Sequence, residues 1–155
     1  GLCSNFLGSL SVGTHFEGFV KRNPSFYCPN HHTPVLMIAN GTGIAPFLGM
    51  QSSDSVLYWG GRNSADFDLF ANYTLPDKYH LVFSREKERA YVQDLLTKRE
   101  SEVAEFIKNQ GTVMICGSLT MLGGVQQQLE TITSSFQLPS VEELKKQGKI
   151  LVDCY

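Results

Sequence analysis

Five short apolar runs alternate with stretches of helical spacing, and this alternation constrains the fold of the chain more than any other feature. The runs cover 35–39, 56–60, 80–83, 112–116 and 149–152 and are rich in Val, Ile, Leu and aromatic residues. They are hydrophobic almost throughout rather than at every second position, so both faces of each strand must be covered. The intervening stretches 45–51, 65–70, 91–109, 119–134 and 141–147 read as helices, with Leu95, Leu96, Val103 and Ile107 on one face. The pattern predicts an α/β fold, a doubly wound, five-stranded parallel sheet of Rossmann-like type.

At 155 residues, 42% hydrophobic and 18% charged, the chain can bury one core. Its net charge is -2 and its thirteen basic residues form no long block, which gives no reason to expect nucleic acid or an anionic membrane as partner. Cys3, Cys28, Cys116 and Cys154 lie far apart with no Cys-x-x-Cys pair. That spacing fits neither a zinc cluster nor a disulfide scaffold; it fits a reducing, cytoplasmic setting. No apolar run is long enough for a transmembrane helix, and the first residues lack a signal pattern. The first thirty residues differ from the rest: a further strand is expected over 14–20, followed by loops at 21–25 and 29–32. The N-terminus reads as cut within another domain, which gives residues 1–32 as the tail of that domain with a linker and 33–155 as the main domain.

Three local patterns carry chemistry. After the first apolar run, residues 40–47 read Asn-Gly-Thr-Gly-Ile-Ala-Pro-Phe. Gly41 and Gly43 permit a close backbone approach, and Pro46 suits a first helical turn whose free N–H groups could hold a pyrophosphate; the plain alternative is a tight turn. After the third run, Ser84, Arg85, Arg89, Tyr91 and Gln93 gather a hydroxyl, two guanidiniums, a phenol and an amide at the ligand-binding edge of the sheet. That set suits the 2′-phosphate of NADP(H), or else a solvated helix start with charge pairs. After the fourth run, Cys116 ends a buried strand just before Gly117, where a lone thiol can equally be a small core residue. The chain stops at Asp153-Cys154-Tyr155, whose plain reading is a ragged end.

Taken in order, these segments resemble the NADP-binding half of the ferredoxin-NADP reductase superfamily, in particular the diflavin and sulfite reductase flavoprotein branch. Residues 37–47 match its M-I-G-P-G-T-G-I-A-P-F, 58–63 its F-F-G-C-R-N, 84–93 its S-R-x-K-V-Y-V-Q, 114–121 its Y-V-C-G-D-A-x-x-M, and 153–155 its terminal D-V-W or D-V-Y. Gly1, Cys3 and Ser4 fall in a stretch similar to the family's G-V-C-S-N turn, which holds the FAD pyrophosphate. The resemblance therefore implies a remnant of an FAD-binding β-barrel ahead of the NADP(H)-binding domain, with the main FAD site lying upstream of the chain.

By the same resemblance, Gly41, Thr42 and Gly43 cradle the pyrophosphate and nicotinamide ribose, and Arg62 reaches the pyrophosphate or adenosine side. Ser84, Arg85, Arg89, Tyr91 and Gln93 hold the 2′-phosphate, and Gly117 and Met121 join the cofactor-binding set. Cys116 and Asp153 flank the nicotinamide for hydride transfer to flavin N5, and Tyr155 stacks over the flavin as a gate. The implied cofactors are NADP(H), and FAD in the full-length protein. The implied partners are the upstream FAD-binding domain and an electron acceptor, flavodoxin/FMN-like or heme; the full-length protein could sit at the cytoplasmic face of a membrane. Departures from the motifs are Asn40 for proline, Gly61 for cysteine, Ser118 for aspartate, Arg89 for lysine, and a short connection after Pro46 that predicts a trimmed first helix. The competing reading is a regulatory module that binds NADP(H) without turnover.

Overall fold

The computed structural model describes residues 2–28, 33–50 and 54–155. Five parallel strands, β1 (Val35–Asn40), β2 (Val56–Gly61), β3 (Lys78–Phe83), β4 (Thr112–Gly117) and β5 (Ile150–Cys154), form one sheet in the order β3-β2-β1-β4-β5. The order reverses between β1 and β4, the switch point at which open α/β sheets bind ligands.

Each strand feeds two cores, because successive side chains point to opposite faces. Leu36 and Ile38 of β1, Tyr58 of β2 and Val113 and Ile115 of β4 face one side. There they meet α3 (Val92–Lys98), α4 (Glu100–Lys108), α5 (Leu119–Ser135) and α6 (Val141–Lys146). Val35, Met37, Ala39, Leu57, Trp59, Met114 and Cys116 face the other side, under the 3-10 helix Gly41–Gly49 and Phe26 of the N-terminal segment. This two-sided burial is why the strands read as continuously apolar.

The helix ends follow local chemistry. Ser118 accepts the Met121 N–H at the start of α5. At the start of α6, Ser140 and Glu143 form a reciprocal capping box, which holds the Glu143 carboxyl below its usual range.

The long helix expected over 91–109 is two helices, since Arg99 leaves the helical region (φ -123°, ψ 28°) and its guanidinium forks onto Glu102 at 2.8 Å. The helix expected over 45–51 is a tighter 3-10 helix that begins at Gly41 and ends at Gly49, with Pro46 inside it; Gln51 lies outside the described residues. The trimming expected from the short connection takes this form. The short α2 (Ala65–Asp68) stands where 65–70 was expected.

The N-terminal segment departs most from expectation. The strand expected over 14–20 does not form, and the stretch is exposed throughout. A strand needs an edge to pair with, and among the described residues none lies alongside it. Instead of a barrel remnant, residues 2–20 comprise the exposed helix α1 (Leu2–Ser9) and an extended stretch, joined by an edge-to-face contact between Phe6 and Phe16. Phe26 is different, being buried against Phe47 with ring centroids 5.9 Å apart. The expected domain boundary at 32/33 borders residues 29–32, which lie outside the described residues. No helix among the described residues is long and apolar enough to cross a membrane.

Ile115, fully buried on central β4, supplies a test of this core. Ile115→Ala lowers unfolding free energy in a denaturant titration by about 3 kcal/mol. Phe19→Ala, at a ring that is 90% exposed, changes it by less than about 0.5 kcal/mol.

Candidate functional site

A groove of about 660 Å³ opens along the C-terminal ends of β1, β2 and β4, within the usual size range of cofactor sites. Its inner wall carries Gly41 and Thr42, with Ser118, Thr120 and Met121 from the start of α5. Its outer wall carries Arg62, Ser84, Tyr91 and Gln93, with Leu69 and Phe70 as an apolar side.

The loop after β1 is held from three directions. Gly43 runs so close to β4 that a Cβ there would overlap the Cys116 carbonyl oxygen and lie 2.6 Å from its carbon. Trp59, 1% exposed, donates its indole N–H to the Gly41 carbonyl at 3.0 Å. Phe67, Phe70 and Phe83 pack around that indole at 5.2–6.3 Å between centroids. Thr42 Oγ1 shares a 2.7 Å hydrogen bond with the Tyr155 hydroxyl, and the Tyr155 N–H donates to the Gly117 carbonyl. The chain end therefore lies across the glycine loop.

Asp66 and Trp59 were not among the expected site residues, and Asn40 stood only as a departure from the family motif. One Asp66 carboxylate oxygen accepts the N–H groups of both Arg62 and Asn63 at 3.0 Å and so fixes the turn that presents Arg62. The signal lay in the run Arg-Asn-Ser-Ala-Asp, where an acid four residues on caps a turn. Trp59 accounts for the departure at Gly61: a Cβ there would overlap the indole ring and lie 2.6 Å from its Cζ3, so the family's cysteine does not fit beside a tryptophan.

On the outer wall, Ser84 donates to the Gly61 carbonyl at 3.2 Å and the Arg85 N–H donates to Arg62. Arg89 lies over the Tyr91 ring, 5.4 Å from its centroid, and bonds its hydroxyl. Asp94 fixes Tyr91 in turn by accepting its backbone N–H at 2.7 Å. Arg85 and Arg89 themselves lie outside the groove lining. Arg89 nevertheless reaches it through Tyr91.

Outside the groove lining, buried Cys116 and exposed Asp153 are register partners on β4 and β5. Burial, then the neighbouring Asp153 carboxylate and the Cys154 thiol, push the Cys116 thiol up to about 11. It stays a neutral S–H at physiological pH, which fits a positioning role and not a nucleophile. Asp153 accepts the Asn23 side-chain amide at 3.1 Å. Cys3 and Ser4 sit on exposed α1, a helix where a turn was expected, and nothing brings them to the groove. Gly1 lies outside the described residues. Among the described residues, no group of His, Cys, Asp and Glu is placed to hold a metal.

The reversal of strand order, the glycine loop lying directly on β4 and the groove along the strand ends, with Arg62 on its outer wall, define a dinucleotide-binding domain. The residues present fit such a ligand, since Gly43 seats the loop directly on β4 and leaves Gly41 and Thr42 lining the groove opposite Arg62. Comparison with known proteins agrees: the model of the oxidoreductase NAD-binding domain family matches residues 37–127. The chain belongs to that family, in its ferredoxin-NADP reductase-like form, which also contains the diflavin reductases. Its cofactors are accordingly NADP(H) on this domain and FAD in the reductases built from it.

Among its relatives is a nitric oxide synthase of Anopheles stephensi, 31% identical over 94% of this chain and 14% of its own length. NADPH oxidoreductase A of Dictyostelium discoideum is 30% identical over 90% and 24%. The NADPH–cytochrome P450 reductase of Saccharomyces cerevisiae is 28% identical over 86% and 25%. The chain thus spans between a seventh and a quarter of the length of these curated relatives.

The Cys116 environment is testable by titration. Because the fold disfavours the thiolate, the stabilisation tied to the protonated thiol is complete below the ordinary pKa of 9.0 and is lost as pH rises through about 11. In a variant with Cys3, Cys28 and Cys154 changed to serine, alkylation of Cys116 accelerates with pH up to about 11. A plateau already reached by pH 8 would contradict the assignment.

Proposed function

We propose that this chain binds NADPH and positions it for hydride transfer to the flavin of an FAD-dependent reductase. The observation that carries the reading is the pairing of Cys116 with Asp153, one strand over, beside the Gly43 loop. A domain that only bound nucleotide would need the loop but not a neutral thiol and a carboxylate set side by side, so the arrangement favours turnover over a purely regulatory module. When bound, NADPH supplies a hydride to flavin N5 on the FAD-binding domain.

The roles proposed are those of the family motifs, and the groove lining supports them at Gly41, Thr42, Arg62, Ser84, Tyr91, Gln93 and Met121. Gly41, Thr42 and Gly43 hold the pyrophosphate and nicotinamide ribose, Arg62 neutralises phosphate charge from the opposite wall, and Gly117 and Met121 close the floor. Ser84, Tyr91 and Gln93 line the adenosine end, and Arg85 and Arg89 bring positive charge to its rim for the 2′-phosphate. Cys116 and Asp153 orient the nicotinamide, and Asn23 holds the exposed Asp153 carboxylate by donating its side-chain amide to it. Tyr155 must release Thr42 before the ribose can settle, which makes the chain end a gate.

Residues 1–32 are the tail of the FAD-binding domain and a linker, whose Phe26 docks on the core of the NADP(H) domain, 33–155. Electrons pass on to a flavodoxin/FMN-like or heme acceptor, in a cytoplasmic setting. The names of the relatives support the NADPH-dependent reductase part of this reading, being a nitric oxide synthase, an NADPH oxidoreductase and an NADPH–cytochrome P450 reductase.

Calorimetric titration at low ionic strength tests the reading. NADP+ binds and NAD+ binds far more weakly. Arg85→Ala and Arg89→Ala each weaken NADP+ by roughly tenfold and leave NAD+ unchanged, as expected for charge-assisted bonds to one phosphate. Equal losses for both nucleotides would place the 2′-phosphate elsewhere.

A further inference from the structure

We propose that Asn40 and Ser118 are a coupled pair of positioning residues that lock together the two loops of the groove, replacing the proline and aspartate of the family motif. The proposal rests on the reading of the groove as an NADP(H) site. The two residues lie 78 positions apart, at the end of β1 and at the start of α5, and both line the groove.

Their side chains satisfy each other twice. Asn40 Oδ1 accepts the Ser118 backbone N–H at 2.9 Å, and Asn40 Nδ2 donates to Ser118 Oγ at 3.1 Å. Ser118 Oγ in turn accepts the Met121 N–H at 3.3 Å. One amide thus joins the end of β1, the turn after β4 and the first turn of α5. The space for it exists because of Gly117, at φ +149°, where a Cβ would overlap Asn40 Oδ1 and come within 2.9 Å of Met121 Cε.

The bonds depend on Asn40 first. A proline side chain at 40 could make neither bond, and the Ser118 N–H would lose its partner. With the pair present, the spacing between the Gly41–Gly43 backbone and the α5 start is set before the ligand arrives.

A ligand that spans both loops depends on this spacing, and one confined to the adenosine end does not. Asn40→Ala and Ser118→Ala each weaken NADP+ binding to this chain about tenfold, or about 1.4 kcal/mol. The double variant is no weaker than either single one, because the two act as one unit. Binding of 2′-AMP, which reaches only the outer wall, is unchanged in all three. Without any nucleotide, amide exchange at Ser118 speeds up in Asn40→Ala. Unchanged NADP+ affinity, additive losses, or an equal fall for 2′-AMP would each overturn the proposal, the last by reducing the pair to a support of the fold. If the unaltered chain binds neither ligand, the NADP(H) reading itself falls, whereas binding of both with indifferent variants sinks only the pair.

Discussion

The contact between Gly43 and the Cys116 carbonyl is the constraint on which the site depends. β1 and β4 are neighbours at the point where the strand order reverses, so the loop leaving β1 must turn away toward β2 while still resting on the end of β4. Only a residue without a Cβ allows that seating. Once it is made, Asn40, Gly41 and Thr42 line one groove with Ser118, Thr120 and Met121 at the start of α5, and Cys116 is shut beneath the loop with its thiol kept protonated.

The rest of the structure braces this contact. Trp59 holds the Gly41 carbonyl from behind, the Asn40 and Ser118 side chains tie the loop to α5, and Tyr155 ties its outer side to the chain end. The departures from the family motifs are explained in pairs: tryptophan at 59 requires glycine at 61, and asparagine at 40 goes with serine at 118. Such pairs arise because close-packed interiors pass a change in one side chain directly to its neighbour.

Much of this was legible in the sequence because backbone physics dictated it. The five apolar runs became the five strands with ends shifted by one or two residues, since burial on both faces leaves a signal at every position. Gly41, Thr42, Arg62, Ser84, Tyr91, Gln93 and Met121 do line one groove, because each lies at or just beyond the C-terminal end of a strand. Asp66, Trp59 and the bond from Asn40 to Ser118 were not legible, as they depend on side chains meeting across the fold. The 14–20 segment misled because its Phe and Val content suits a strand, but a strand also needs a hydrogen-bonding edge, which local sequence does not reveal. The break at Arg99 is likewise a tertiary choice imposed on a segment with continuous helical spacing.

An NMR titration of the chain with NADP+ tests the central claim most directly, because it reports each loop separately. The account predicts that amide signals of residues 41–44, 117–121 and 84–93 move together and saturate at one ligand concentration, while those of α6 and α1 stay still. Shifts confined to the outer wall, or spread over α6 and the N-terminal segment instead, would contradict a dinucleotide seated on the contact between Gly43 and Cys116.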